Sequence, residues 1–206
     1  MAPLTIRALA FAQRGPYDFT VRSGECLGLE GASGAGKTLL LRAIADLDPH
    51  EGSVLLGDLD CREISGPAWR TKVGLLPAES HWWHDRVGEH FRELDPDDLE
   101  RLRLLGFDRS VLSWQVSRLS TGEKQRLALV RLLQNQPEAL LLDEPTGNLH
   151  SSNVAQVEQV LQQYRLGRAV PLLWVSHDPE QLGRVAARVM HMHRDGSLEM
   201  LQPGRA

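Results

Sequence analysis

Apolar residues are distributed along this chain in several textures, and each texture predicts a different element. In Ala139-Leu140-Leu141-Leu142 they run without alternation, which predicts a strand buried on both faces, as a parallel sheet requires. Cys26-Leu27-Gly28-Leu29 is a second run of this kind, and residues 53–56 and 73–76 are short apolar strands. Tyr17, Phe19 and Val21 instead alternate with polar neighbours, so residues 4–11 and 17–22 are expected to form a hairpin through Gln13-Arg14-Gly15-Pro16. Helical runs follow Lys37, ending before Pro49, and span residues 127–133. Residues 79–119 differ again. Adjacent Trp82 and Trp83 precede Asp95-Pro96-Asp97-Asp98-Leu99, which resembles a capped helix start, so this segment reads as a helical insert. Residues 188–192 and 197–201, joined around Asp195-Gly196, are expected to form a terminal hairpin, with the last residues loose.

Between the strand at Cys26 and the helix at Leu39 lies Gly31-Ala32-Ser33-Gly34-Ala35-Gly36-Lys37-Thr38. Its glycines let the backbone curl so that successive N–H groups face one anion, and the helix adds its positive N-terminal end. Lys37 is placed to reach β- and γ-phosphates, and the Thr38 hydroxyl to ligate Mg²⁺. The plainer reading is a glycine-rich turn that binds nothing. Asp143 and Glu144 end the apolar run at 139–142 and are out of place there unless they face a ligand. In open α/β sheets ligands bind at that strand edge, so Asp143 would face the Mg²⁺ held by Thr38 and Glu144 the attacking water. Ordinary solvated strand-end charge is the alternative.

Ser120, with Glu123 three positions on, is the pattern of a capping box opening the helix at 121–133, and this explains much of Leu119-Ser120-Thr121-Gly122-Glu123. It leaves Gly122 unexplained, because glycine in a first turn costs about 1 kcal/mol unless something approaches the backbone closely, as an anion would.

With 206 residues and 42% hydrophobic content the chain can bury a substantial core as one domain. A formal charge of −4 gives no broad basic field, so nucleic acid is not an expected partner. Two cysteines, Cys26 and Cys61, argue for a reducing compartment and against a disulfide framework. No apolar stretch approaches the roughly 20 residues that cross a bilayer, and Met1-Ala2-Pro3-Leu4-Thr5 lacks a signal-peptide pattern, so a cytoplasmic chain is expected.

Four ordered motifs, the loop at residues 31–38, Leu119-Ser120-Thr121-Gly122-Glu123, Asp143-Glu144-Pro145-Thr146 and Val175-Ser176-His177-Asp178, resemble those of ABC transporter ATP-binding subunits. Compact size and Lys124-Gln125-Arg126 are most similar to small bacterial metal exporters of the iron-export type. The resemblance implies an α/β fold: a P-loop NTPase (RecA-like) core with a mainly parallel sheet, an antiparallel β subdomain and a small helical insert. It divides one domain into a hairpin at 1–23, core at 24–78 and 119–206, and helical subdomain at 79–118. It further implies ATP and Mg²⁺ as cofactors, with Gly31, Ser33, Gly34, Ala35, Gly36, Lys37, Thr38 and Leu39 cradling the nucleotide and Thr38 and Asp143 at the metal. Lys37, Glu144 and His177 would be catalytic, although a satisfied strand-end histidine explains His177 equally well. Two copies would pack head to tail around ATP, so that Ser120, Gly122 and Glu123 of one copy cover the nucleotide held by the other. A transmembrane permease subunit would be the second partner, met at Trp82 and Trp83, and would hold the chain on the inner face of the cell membrane. One tryptophan in the core and one partly exposed is the alternative for that pair.

Three positions depart from the family pattern. Ala78 stands where a glutamine touches Mg²⁺ and water, so that contact is lost or taken over by Glu79. His150 replaces the aspartate that ends the turn after Gly147-Asn148-Leu149. The aromatic that stacks on adenine should fall near Gln13 or Arg14; Phe11 and Tyr17 are neighbours, but alternation favours the core for both. His81, His84, His191 and His193 read as surface histidines rather than metal ligands, no carboxylate or cysteine completing a site. Beside the transport ATPase stand two other readings: a nucleotide-gated dimerising module with weak hydrolysis, and a soluble non-transport ABC ATPase.

Overall fold

The computed structural model describes residues 2–201; the expectation for the last residues falls on 202–206, outside the described residues. In chain order the elements are β1 (Leu4–Phe11), β2 (Arg14–Val21), β3 (Cys26–Gly31), α1 (Lys37–Ile44), β4 (Glu51–Leu56), β5 (Leu59–Asp60), α2 (Gly66–Lys72) and β6 (Val73–Leu76). They continue with α3 (Pro96–Leu104), α4 (Thr121–Leu133), β7 (Ala139–Asp143), α5 (Ser151–Arg168), β8 (Leu172–Val175), α6 (Pro179–Val185), β9 (Arg188–Met192) and β10 (Leu198–Met200). Six strands form one sheet in the order β10-β9-β3-β8-β7-β6, parallel except for the β9–β10 hairpin.

The unbroken apolar runs are explained by what covers this sheet. Leu27, Leu29, Leu141 and Leu173 pack on one face with α1 and the antiparallel strands. Cys26, Leu140, Leu142, Leu172 and Trp174 pack on the other with α4, α5 and the lobe. Alternation persists in space but not in polarity, because both faces are dry. Each buried leucine adds about 1.5–3 kcal/mol relative to exposure. Burial also pushes the Cys26 thiol up to about 12 and that of Cys61 up to about 11, so both stay protonated.

Three expectations change. β4 and β5, although within 24–78, join the antiparallel sheet β2-β1-β4-β5, where β4 pairs with β1. The first hairpin turns at Ala12 and Gln13, both at positive φ (45° and 62°), so β2 begins at Arg14 rather than Tyr17. The segment expected to be helical carries a single α-helix, α3, beside short 3-10 turns at Val87–His90, Arg109–Ser113 and Val116–Arg118. Its start matches the capped pattern: Asp95 accepts from Asp98 N at 2.8 Å and Asp98 accepts from Asp95 N at 3.3 Å.

Candidate functional site

The loop between β3 and α1 holds Gly31, Gly34 and Gly36 at φ of 142°, 79° and 112°. At Gly34 an added Cβ would meet nothing within 4 Å, so the backbone turn, and not crowding, calls for glycine there. Lys37 folds back over the loop, its Nζ donating to Gly31 O at 2.6 Å and Ala32 O at 3.1 Å. Gly36 is the N-cap of α1 and brings no side-chain acceptor, which leaves the helix start open to an anion.

Across a cavity of about 530 Å³ stand the acidic residues. Asp143 is 4% exposed and accepts from the Thr38 hydroxyl at 2.8 Å. Burial raises its pKa above the usual carboxylate range, and the Thr38 hydrogen bond and the Lys37 charge offset only part of that. Glu144 follows in the left-handed region, at φ 47°, a conformation that costs a non-glycine residue about 1–2 kcal/mol. Its backbone N–H donates to Val175 O at 3.1 Å, and the nearer oxygen of its carboxylate lies 3.0 Å from His177 Nδ1. A carboxylate can only accept, so Nδ1 carries the proton of this hydrogen bond.

The cavity is lined by Gly31, Ser33, Gly34, Gly36, Lys37, Thr38 and Leu39 together with Asp143, Glu144 and His177, so most of the expected set converges. Ala78, Gly147 and Asn148 complete its wall. Ala35 is not part of it: its side chain is buried in the core and its N–H donates to Ala32 O at 3.1 Å.

Ser120, Gly122 and Glu123 also lie outside this cavity. Ser120 and Glu123 form the capping box, with Ser120 Oγ donating to Glu123 Oε2 at 2.8 Å and accepting from Glu123 N at 3.3 Å. The close neighbour that Gly122 demands is in the chain itself: a Cβ there would stand 3.2 Å from Asn148 O and 3.1 Å from Leu149 Cδ2. No anion is needed to explain that glycine. The turn at 147–149 thus touches both the cavity and the start of α4.

Two buried glutamines do work that local pattern does not announce. Gln181 accepts from Ser176 Oγ at 3.0 Å, shares a hydrogen bond with Thr146 Oγ1 and donates to Glu158 at 2.9 Å, tying the turn after Glu144 to the strand end before His177. Gln125 Nε2 donates to Pro77 O at 2.9 Å, fixing the backbone beside Ala78. Thr146 lies 35 residues from Gln181 and Pro77 48 residues from Gln125, beyond any sequence window. Glu79, the expected substitute for the missing glutamine, is exposed and absent from the cavity wall.

Phe11 and Tyr17 pack on each other, ring centroids 5.6 Å apart, and both are buried, so neither presents a free ring face. Trp82 is half-buried and Trp83 is 66% exposed. His191 and His193 each have one carboxylate neighbour, Glu30 at 2.8 Å and Glu199 at 3.3 Å, supplied by the strands on either side of β9. Among the described residues no helix is long and apolar enough to cross a membrane.

Residues 15–147 match a family profile described as "ABC transporter". The chain is 34% identical over 196 residues to Protein STAR1 of Oryza sativa subsp. japonica, which covers 90% of this chain but only 57% of STAR1. It is 33% identical to the probable iron export ATP-binding protein FetA of Escherichia coli K12, covering 80% of this chain and 78% of that protein. To the lipoprotein-releasing system ATP-binding protein LolD 2 of Caulobacter vibrioides it is 35% identical, covering 89% and 86%. Among solved structures, a bacterial Atm1-family ABC exporter with ATP bound superposes with a TM-score of 0.82 at 19% identity, over 94% of this chain and 37% of that one. The ATP-binding subunit of an ABC transporter gives 0.82 at 20% identity, over 96% and 90%; at these identities the likeness establishes the fold. Profile, relatives and the geometry of residues 31–38 agree, and the chain belongs to the ABC transporter family as an ATP-binding ATPase domain.

Proposed function

We propose that this chain hydrolyses Mg²⁺-bound ATP as one half of a head-to-tail pair that drives a separate membrane-spanning subunit. The observation that carries this reading is the meeting of Lys37, Thr38, Asp143, Glu144 and His177, from three separate segments, around one cavity. Lys37 exchanges its loop carbonyls for phosphate oxygens. Glu144, already hydrogen-bonded to His177, orients or deprotonates the attacking water, and His177 contacts the terminal phosphate as an N–H donor and keeps the geometry in line. Thr38 and Asp143 are the oxygen donors that would hold Mg²⁺, and a hard cation suits that donor set. Bound there, the metal would neutralise charge developing on the phosphates.

Ser120 and Gly122 act on the nucleotide of the second copy, so that ATP joins the two copies and hydrolysis releases them. The exposed Trp83, with Trp82 beside it, is the contact for the membrane subunit, which keeps the chain at the inner face of the cell membrane. Identity is spread evenly over proteins named for iron export, sulfonate import and lipoprotein release, at 33%, 34% and 35%, so what is shared is the engine; cargo choice falls to the membrane partner.

A second reading, a nucleotide-gated module with weak turnover, is favoured by Ala78, which brings no ligand atom to the cavity wall. Glu144→Gln separates the two. With wild-type ATPase activity measurable, the variant should lose it and accumulate an ATP-dependent dimer on size exclusion. Undiminished turnover would remove Glu144 from catalysis, and a wild type that dimerises without turnover would favour the gated module.

A further inference from the structure

The antiparallel sheet delivers the guanidinium of Arg14 to the phosphate loop. Arg14 follows directly on the turn at Ala12 and Gln13, where two non-glycine residues hold positive φ, and it is fixed by the pairing of Phe11 with Arg14. Such strained backbone persists where the surroundings hold it, and it gathers at ligand sites. From there the side chain lies flat over Gly36: its Nε, Cδ and Cζ sit 3.1, 3.2 and 3.2 Å from where a Cβ on that glycine would be. On its other flank Nη1 comes within 2.8 Å of the equivalent point on Gly196. Nη1 is buried and has no hydrogen-bond acceptor. A charged donor in that condition is costly; it lies on the Gly196 flank near the Tyr17 hydroxyl, while the Nε edge of the same guanidinium lies over Gly36 in a loop whose backbone is shaped for an anion.

Lys37 covers the loop at Gly31 and Ala32, whereas Arg14 covers it at Gly36. No residue of β1 or β2 lines the cavity shared by Asp143, Glu144 and His177, so Arg14 reaches the loop from the side away from the carboxylates. We propose that Arg14 is a phosphate-binding residue of the nucleotide site, its guanidinium turning from Gly196 to donate to the phosphate nearest the nucleoside, so that two cations bracket the triphosphate. This rests on the reading of residues 31–38 as the nucleotide loop.

The test is isothermal titration calorimetry of ATP and of inorganic tripolyphosphate against the wild type, Arg14→Met, Arg14→Lys and Lys37→Ala. Methionine keeps an unbranched stem between the two glycines and removes the charge, so both ligands should bind about tenfold more weakly. Lysine keeps the charge without the planar fork and should recover part of that loss for both ligands. Equal affinity of the methionine and lysine variants would reduce Arg14 to packing and overturn the proposal, as would wild-type ATP affinity in Arg14→Met. Weakened ATP binding with unchanged tripolyphosphate binding would overturn it too, by moving the contact to the base. Binding retained in Lys37→Ala would sink the loop reading itself, whereas binding lost in Lys37→Ala but kept in Arg14→Met would sink only the role given to Arg14.

Discussion

The nucleotide end of the core and the lobe at residues 79–118 are held together by different means. Around the cavity, side chains are fixed by strands whose every residue is buried, as in β7 and β8, and by backbone hydrogen bonds between strand ends such as Glu144 N to Val175 O. The lobe has little regular structure and depends on a few side chains. His90, buried beneath the Trp82–Trp83 turn, accepts from Trp83 N at 2.9 Å and His84 N at 3.0 Å through Nε2, and donates from Nδ1 to Arg86 O at 3.1 Å. Its ring meets those of Trp82 and Trp83 edge-on at 4.7 and 4.8 Å. Arg131 from α4 lies over the two indoles at 4.6 and 4.9 Å and donates to His81 O. Redundant packing secures the first region and a handful of replaceable contacts the second, so substitutions should leave different footprints.

The largest effect should come from the core. Leu141→Ala removes a fully buried side chain from the centre of the sheet and should cost about 2–5 kcal/mol in urea unfolding, with ATP affinity falling in parallel. A cost below about 1 kcal/mol would mean that this region is less tightly packed than the lobe, reversing the comparison.

His90→Ala should cost less, about 1–3 kcal/mol, by leaving two N–H groups without their acceptor. Its signature is pH dependence. Burial holds the His90 pKa below the ordinary 6.5; Arg131 and His84 push the same way, and the backbone carbonyls of Arg86 and Val87 oppose. Glu89, the adjoining carboxylate, is turned to accept from Arg86 N, and Leu112 from the turn at Arg109–Ser113 brings no charge to the neighbouring Gly88. The folded state therefore favours neutral imidazole: its contribution is present above 6.5 and is lost as pH falls below that value. Tryptophan fluorescence followed from about pH 8 to 5 should change in the wild type and stay flat in His90→Gln, which keeps an acceptor that does not titrate. An identical transition in the glutamine variant would acquit His90.

How far the sequence announced each region follows from the same contrast. Parallel strands buried on both faces must read as apolar runs, so β3 and β7 and the acidic edge at Asp143 and Glu144 were legible without coordinates. The helix start at Asp95 was legible because a capping box is local. β4 was visible as a strand, but nothing in Ser53 to Leu56 says which sheet it joins; that depends on pairing with β1, more than 40 residues earlier. Gln125, Gln181 and Arg131 find partners across the fold, and the turn that His90 closes on Trp83 and His84 has no regular spacing, so none of them leaves a periodic trace. The turn at Ala12 and Gln13 lacks the glycine or asparagine that usually marks it, which shifted the predicted start of β2.

At the nucleotide end, a smaller effect should separate stability from function. The pKa of Asp143 is raised by burial, so the folded state disfavours its charge, and the penalty grows as pH rises above 3.8 and is complete at neutrality. Asp143→Asn keeps an oxygen for the Thr38 hydroxyl and should stabilise the apo protein at pH 7, by on the order of 1 kcal/mol, while losing Mg²⁺-dependent turnover. A destabilised variant would show that the Lys37 charge outweighs burial.

The smallest effect is expected at the turn shared by the cavity and Gly122, at the start of the helix whose Arg131 packs on the lobe. His150 is the N-cap of α5 and makes no side-chain capping bond, so the first N–H groups of an 18-residue helix have no side-chain acceptor. Aspartate would supply one and place a negative charge at the positive end of the helix. His150→Asp should therefore raise stability by about 0.5–1 kcal/mol in denaturant unfolding, reduced by added salt in so far as the charge contributes. Because residue 150 follows directly on Leu149, which packs at Gly122, a better-capped α5 should also stiffen that turn and slow amide exchange at residues 147–149. Greater stability with unchanged exchange would mean that the cap acts on α5 alone and that the turn, although in contact with both the cavity and α4, is not held by the helix behind it.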